Sequence, residues 1–165
     1  NVESSGAQNS GESENSSQEL KQSDSVVGGT LDEALTAIRT AEAEVEGGKA
    51  SEIDFEDNEN EWEVTVLTES ASVDVHVHAD GQSVVKTEDP GSPDSEDWTR
   101  LNEAKVDFGT ALKNALSETA GTIDEANIDD NGSSAVWEID IYPEGTTESL
   151  QLLVDTQSGE VTQGD

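Results

Sequence analysis

The stretch WEVTV at 62–66 returns as WEIDI at 137–141, each time a Trp and a Glu followed by strand-like alternation. Side chains along a strand alternate between faces, so Trp62, Val64 and Val66 share one face and Trp137, Ile139 and Ile141 share another. Glu63, Thr65, Glu138 and Asp140 take the opposite sides. Both tryptophans fall on the apolar phase of their strands. That phase favours a place in a core over a role as an exposed ligand platform.

Working outward, each Trp strand has the same neighbours. TLDEALTAIRTAEAEVEGG at 30–48 opens with Thr30 and Glu33 in capping-box spacing and puts Leu31, Ala34, Leu35, Ile38, Ala41 and Val45 on one helical stripe. It stops at Gly47 and Gly48. DFGTALKNALSETAG at 107–121 follows the same plan, with Asp107 as cap, Phe108, Ala111, Leu112 and Ala115 on the stripe and Gly121 as stop. Strand-period segments follow both helices. In the first half they begin at Ile53 and Phe55, continue at Trp62 and end on Val73, Val75 and Val77. In the second they run through Ala126 and Ile128, then Trp137, then Leu150, Leu152 and Val154, with Pro143 and Gly145 in the connection YPEGTT. The spacing predicts an α+β protein of two repeats, each one helix packed on a small antiparallel sheet of three or four strands. A copy of this length buries too little surface to be secure alone, so the two are expected to support one another.

Composition sets the surroundings. With 165 residues, 39 acidic side chains and only seven Lys or Arg, the net charge is -32. Such a chain repels nucleic-acid phosphates and anionic membrane surfaces. The apolar fraction of 31% is low for a globular protein. The shortage is concentrated in residues 1–29, a Ser-, Asn-, Gln-, Glu- and Gly-rich stretch that reads as a disordered tether. TEDPGSPDSED at 87–97 has the same chemistry and two prolines. The expected organisation is therefore a tether at 1–29, a repeat at 30–89, a linker at 90–97 and a second repeat with its lead-in at 98–165. Cysteine is absent, which excludes disulfides, thiolate nucleophiles and Cys-ligated zinc. No apolar run has the length of a membrane span.

The ordering now resembles a known family. An Ala-rich helix containing EALTAIRTA or TALKNAL, a strand pair built on WEVTV or WEIDI, and a closing LLVDTQSGEV look like the PepSY domain, in tandem over most of 30–89 and 107–165. The best-matched positions are Val154, Asp155, Gly159 and Val161. The first copy departs there, with His78 in place of the Asp and one residue fewer before Gly81. The resemblance implies a non-catalytic extracytoplasmic module of the kind found in propeptides of secreted metalloproteases and in bacterial surface lipoproteins. It further implies binding to another extracytoplasmic protein, such as a protease that it restrains. A Met-free start followed by a polar spacer adds the expectation of a removed signal peptide, with the protein either secreted or held at the cell surface by a lipid anchor.

Two constellations could carry chemistry of their own. DVHVHAD places Asp74, His76, His78 and Asp80 on one strand face, where two imidazoles two residues apart can share Zn²⁺ or Cu²⁺. The same residues also read as a solvated outer face beside Glu61, Glu63 and Thr65. NIDDNGSSAVWE from Asn127 to Glu138 nearly fits a calcium loop, with Asp129, Asn131, Gly132 and Glu138 in step. It lies between strand-period segments rather than helices, which makes it a hairpin connection. There is no phosphate-cradling Gly loop, nucleophile elbow or HExxH, so no enzyme and no cofactor are expected. Partner contact is expected at Leu67, Tyr142 and Trp98, the large apolar residues placed outside the cores. A second reading stays open: an acidic cation- or metal-binding surface protein that uses His76 and His78.

Overall fold

The computed structural model describes residues 27–130, 132 and 134–164; residues 1–26 of the expected tether lie outside them. Along the chain run α1 (Leu31–Glu44), β1 (Lys49–Glu56), β2 (Glu61–Leu67), β3 (Ser72–His78), β4 (Val84–Thr87), α2 (Ser95–Glu103), α3 (Phe108–Glu118), β5 (Gly121–Asp130), β6 (Ala135–Pro143), β7 (Leu150–Asp155) and β8 (Val161–Gln163). A helix followed by four strands therefore occurs twice, at 31–87 and 108–163.

Both helices start where local chemistry dictates. Thr30 Oγ1 accepts from the Glu33 N–H at 3.2 Å while the Glu33 carboxylate accepts from the Thr30 N–H at 3.1 Å, closing the capping box of α1. Asp107 caps α3 by accepting from the Thr110 N–H at 2.8 Å. The buried stripe of α1 is Ala34, Ala37, Ile38 and Ala41, and that of α3 is Phe108, Ala111, Leu112 and Ala115. Small residues on α1 let the helix lie close to the strands.

Two small sheets, one per repeat, were the expectation from the pattern, and the structure corrects it. All eight strands form a single antiparallel sheet in the order β4-β3-β2-β1-β5-β6-β7-β8. The join is β1 against β5, where Glu52, Ile53 and Asp54 face Asn127, Ala126 and Glu125. Each meander alone would leave its first strand with a bare edge of backbone donors and acceptors, and pairing those two edges satisfies both. A consequence is visible in the register. Val75, Val64, Ile53, Ala126, Ile139 and Leu152 form one continuous buried row across six strands.

The tryptophans anchor this core. Trp62 is fully buried, donates Nε1–H to the Ala79 carbonyl at 3.0 Å and takes Phe55 edge-on at 4.8 Å between ring centroids. Trp137 is 1% exposed, donates to the Val106 carbonyl at 2.9 Å and stacks on Phe108 at 4.4 Å. With both N–H groups satisfied inside the core, neither ring is a surface platform.

Other segments are tied down more firmly than their composition implied. Gly29 exchanges two backbone hydrogen bonds with Ile123, at 3.0 and 2.7 Å, so the end of the expected tether runs beside β5. Within the expected linker, Gly91 bridges Ser72, and Ser95 opens α2 with Asp94 as its cap. Leu101 of α2 joins the core, and α2 touches both β1 and β5 near the start of one strand and the end of the other.

Candidate functional site

The helices cover one face of the sheet. The other face carries the polar phase of every strand, and the register lines those residues up. One row runs Lys86, His76, Glu63, Asp54, Glu125, Asp140 and Gln151 across β4, β3, β2, β1, β5, β6 and β7. Four consecutive members, Glu63, Asp54, Glu125 and Asp140, are carboxylates on adjacent strands. Neighbouring strands are about 4.8 Å apart, and like charges directly opposite one another destabilise a sheet. The parallel row Asp74, Thr65, Glu52, Asn127, Glu138 and Leu153 adds three more acids.

A bulge sharpens the crowding. The register slips between Ile123 and Glu125, so Asp124 and Glu125 both stand opposite Asp140. Carboxylate oxygens from these three residues all lie within 4.8 Å of one another. The Tyr142 hydroxyl donates to Asp124 at the edge of the group.

Titration behaviour follows from this packing. Burial, then Glu56, Glu125, Asp124 and Glu52, push the Asp54 pKa from 3.8 to about 7. Glu125 is raised by burial and by Asp140 and Asp124. Asp124 is raised by burial and by Asp140 and Asp57, against the Tyr142 hydrogen bond. Asp140 is raised by burial, partly offset by a hydrogen bond from Gln151. Glu52, Glu63 and Glu138 also rise, with burial the leading cause in each.

His76 is the exception in the row. Its side chain is 11% exposed and lies between two carboxylates, with Nδ1 2.7 Å from Glu61 Oε2 and Nε2 2.7 Å from Glu88 Oε2. Burial opposes a charge on the ring, but the hydrogen bonds to Glu88 and Glu61, with Glu63 behind them, outweigh it and raise the pKa above that of an ordinary imidazole. The hydrogen bond from His76 in turn lowers the Glu88 pKa.

The expected metal quartet is divided by the structure. Asp74 accepts a hydrogen bond from the Thr65 hydroxyl at 2.9 Å. Asp80 accepts from the Gln82 N–H at 2.9 Å in the turn after β3. His78 is exposed and its partner in the ladder is Glu61. Only His76 belongs to a group with cation-ligating geometry, and its companions there are Glu63 and Glu88. The alternation of β2 made Glu63 legible as an outer-face residue. Glu88 gave no signal, because it lies in the proline-bearing stretch after β4 and is placed by its N–H donating to the Asp74 carbonyl at 2.9 Å.

The expected partner-contact residues fare unequally. Leu67 is 1% exposed, so it is a core residue and not a contact. It ends β2 one residue out of phase with a simple alternation, since both Val66 and Leu67 are buried. Trp98 is half-buried, with the Lys49 ammonium 5.9 Å from its ring centroid. Tyr142 is half-buried on the acidic face. The calcium-like stretch is a hairpin between β5 and β6, in which Asn127 pairs with Glu138 and Asp130 with Ala135; Asn131 lies outside the described residues.

Comparison with known proteins bears on the second half. The PepSY family model, peptidase propeptide and YPEB domain, matches residues 105–163, which contain α3 and β5 to β8. The match fits a non-catalytic role. A crystal structure of a "putative lipoprotein" from Clostridium difficile 630 is similar over 87% of this chain and 97% of its own, at 18% identity and a TM-score of 0.47. No curated protein matches the chain. No helix among the described residues is long and apolar enough to cross a membrane.

The matched motif has a physical reading here. Asp155 accepts from the N–H groups of Gln157 and Ser158 at 2.7 and 3.3 Å, and the Gly159 N–H donates to the Asp155 carbonyl at 2.9 Å. The acid and the glycine thus build the turn that sends the chain from β7 into β8.

Proposed function

We propose that this protein is a non-catalytic interaction module working outside the cytoplasm, with the open face of the sheet as its binding surface. The observation that carries the reading is the row Glu63, Asp54, Glu125 and Asp140. Four carboxylates in register work against the fold, and a basic segment laid across them would relieve that repulsion. The partner is accordingly a protein with a basic patch, a secreted protease or another envelope protein. The PepSY match over 105–163 supports this reading, since the family description is that of a peptidase propeptide. The same element order at 31–87 supports reading the first half as a second copy of the module. In this role the protein is secreted or attached at the cell surface.

Charge alone gives fast and selective association more than affinity, so an apolar anchor is required. Tyr142, half-buried beside Asp124 on the acidic face, is that anchor. Trp98, against Lys49 at the end of the sheet, is the second contact of this kind. The test is capture of proteins from the native extracellular fraction at low salt, repeated with a triple Asp54→Asn, Glu125→Gln, Asp140→Asn variant and with Tyr142→Ala. A bound partner that is released by salt and lost with either variant, and a protease among the captured proteins that the module inhibits, are the expected results. Retention by the triple variant at unchanged strength would remove the acidic face from the mechanism.

A further inference from the structure

We propose that Glu63, His76 and Glu88 form a binding site for a first-row divalent cation, best suited to Zn²⁺, with Glu61 as the residue that orients the imidazole. The argument begins with donors and acceptors. A neutral imidazole has one N–H and one lone pair. The side chain of His76 is 11% exposed, and its ring faces carboxylate oxygens at both nitrogens, each at 2.7 Å. One proton cannot serve two acceptors. A second positive centre is called for at one nitrogen, and either a proton or a metal ion supplies it.

The surroundings favour the metal. Glu61 Oε2 at Nδ1 is the carboxylate–histidine contact that fixes the tautomer of metal-ligating histidines and leaves Nε2 as the donor. Nε2 faces Glu88. Glu63 stands directly opposite His76 in the ladder, and one ligand atom from each of Glu63, His76 and Glu88 lies within 4.8 Å of the others. Zinc–ligand bonds of about 2.1 Å put tetrahedral ligands roughly 3.4 Å apart. Glu88 therefore has to withdraw from Nε2 by under about 1 Å on the same scale. Its side chain is 48% exposed, so it is free to do so, while its backbone stays fixed by the bond to Asp74. Three protein ligands leave one position for water.

Ligand chemistry selects the ion. One imidazole with two carboxylates suits zinc and its first-row neighbours, whereas calcium and magnesium are taken by oxygen ligands alone. The other close group on this face, Asp124, Glu125 and Asp140, has carboxylates only and no imidazole to discriminate. His78, exposed and outside the group, contributes nothing to the site.

Calorimetric titration of Zn²⁺ and, separately, Ca²⁺ into chelator-treated full chain at moderate salt tests the assignment. One saturable Zn²⁺ site per chain is expected, with Ca²⁺ failing to compete. Glu88→Gln and His76→Gln should weaken it at least tenfold, Glu61→Gln by about 10–100-fold through loss of orientation, and His78→Gln not at all. Circular dichroism confirms the fold of each variant. Glu88→Gln, on a half-exposed side chain, decides the matter should His76→Gln fail to fold. Zn²⁺ uptake unchanged in Glu88→Gln, or competed away by Ca²⁺, would assign the ion to diffuse attraction by the acidic face and overturn the site. Absence of a saturable Zn²⁺ site, with both ring N–H protons of His76 visible by NMR, would assign the second centre to a proton and overturn it equally.

Discussion

At corresponding places in the two halves, Glu63 faces His76 while Glu138 faces Leu153. The strands are otherwise parallel in design: Trp62 pairs with Val77, Trp137 with Val154, and each indole is buried with its N–H satisfied by a loop carbonyl. Towards the helices the halves are near copies, and on the open face they diverge. The first half places an imidazole among its acids, so the rise that burial and Asp74 give the Glu63 pKa is partly offset by His76. The second half has no cation there, and Asp129 and Asp140 add to the burial that raises Glu138. The bulges diverge in the same way. Ser51 occupies the slip in β1, and Asp124 occupies the corresponding slip in β5. A face that must pack is constrained by shape, whereas a wet face is free to take on separate tasks, here the proposed cation site in one half and a denser field of carboxylates in the other.

The largest expected effects probe the shared side of this comparison. Trp62→Ala and Trp137→Ala should each cost about 3–5 kcal/mol, measured by urea denaturation. Because β1 and β5 join the halves in one sheet, either variant should still unfold in a single transition. Two separate transitions would break the halves apart as units.

A smaller contrast lies in the turns. Gly81 and Gly159 both have positive φ, at 80° and 81°. An added Cβ at Gly81 would meet the Glu33 carbonyl oxygen at 2.6 Å and the Ala37 nitrogen at 2.7 Å, both in the backbone of α1. At Gly159 it would meet the Asn114 side-chain nitrogen at 3.1 Å, which can move, and Val106 Cγ2 at an ordinary 3.5 Å. Gly159→Ala should therefore cost about 1–2 kcal/mol from the left-handed backbone alone. Gly81→Ala should cost more by at least about 1 kcal/mol, the size of an ordinary overpacking penalty. Equal losses in thermal unfolding would show that the two turns support their helices alike.

Next comes the junction of the two acidic fields. Asp54 has a folded pKa of about 7 against an ordinary 3.8, so the folded state binds this proton more tightly than the unfolded chain. Its contribution is intact below pH 3.8 and is lost as pH rises towards 7 and above. Asp54→Asn should raise the melting temperature by several degrees at pH 8 and leave it nearly unchanged at pH 3.5, on the scale of roughly 3 °C per kcal/mol. A variant indifferent to pH would mean that neighbouring carboxylates do not meet at β1 and β5 as the register has them. The smallest effect tests the divergence itself. Leu153→His, which sets an imidazole opposite Glu138, should stabilise by about 0.5 kcal/mol at pH 5.5 and by less at pH 8. A loss at both values would mean that Leu153 contributes through packing.

Local chemistry wrote a good part of this protein into its sequence. Thr30 with Glu33, and Asp107, specify helix starts because capping depends on residues three apart, and the phase of Trp62 and Trp137 follows from the period of a strand. The turn after Val154 was legible for the same reason, since Asp155 and Gly159 satisfy one another within a few residues. Tertiary structure alone decided the pairing of β1 with β5, because nothing local distinguishes an edge left bare from an edge that meets another strand 71 to 75 residues away. That one pairing aligned Glu63, Asp54, Glu125 and Asp140 into a row, and the pairing of β2, β3 and β4 brought Glu61, Glu63 and Glu88 around His76. Long-range packing also left Leu67 inside, against the expectation from alternation, because burial at a strand end depends on what packs over it. Residue type and spacing fix what a segment can form, and only the long-range register fixes which charges must share a face.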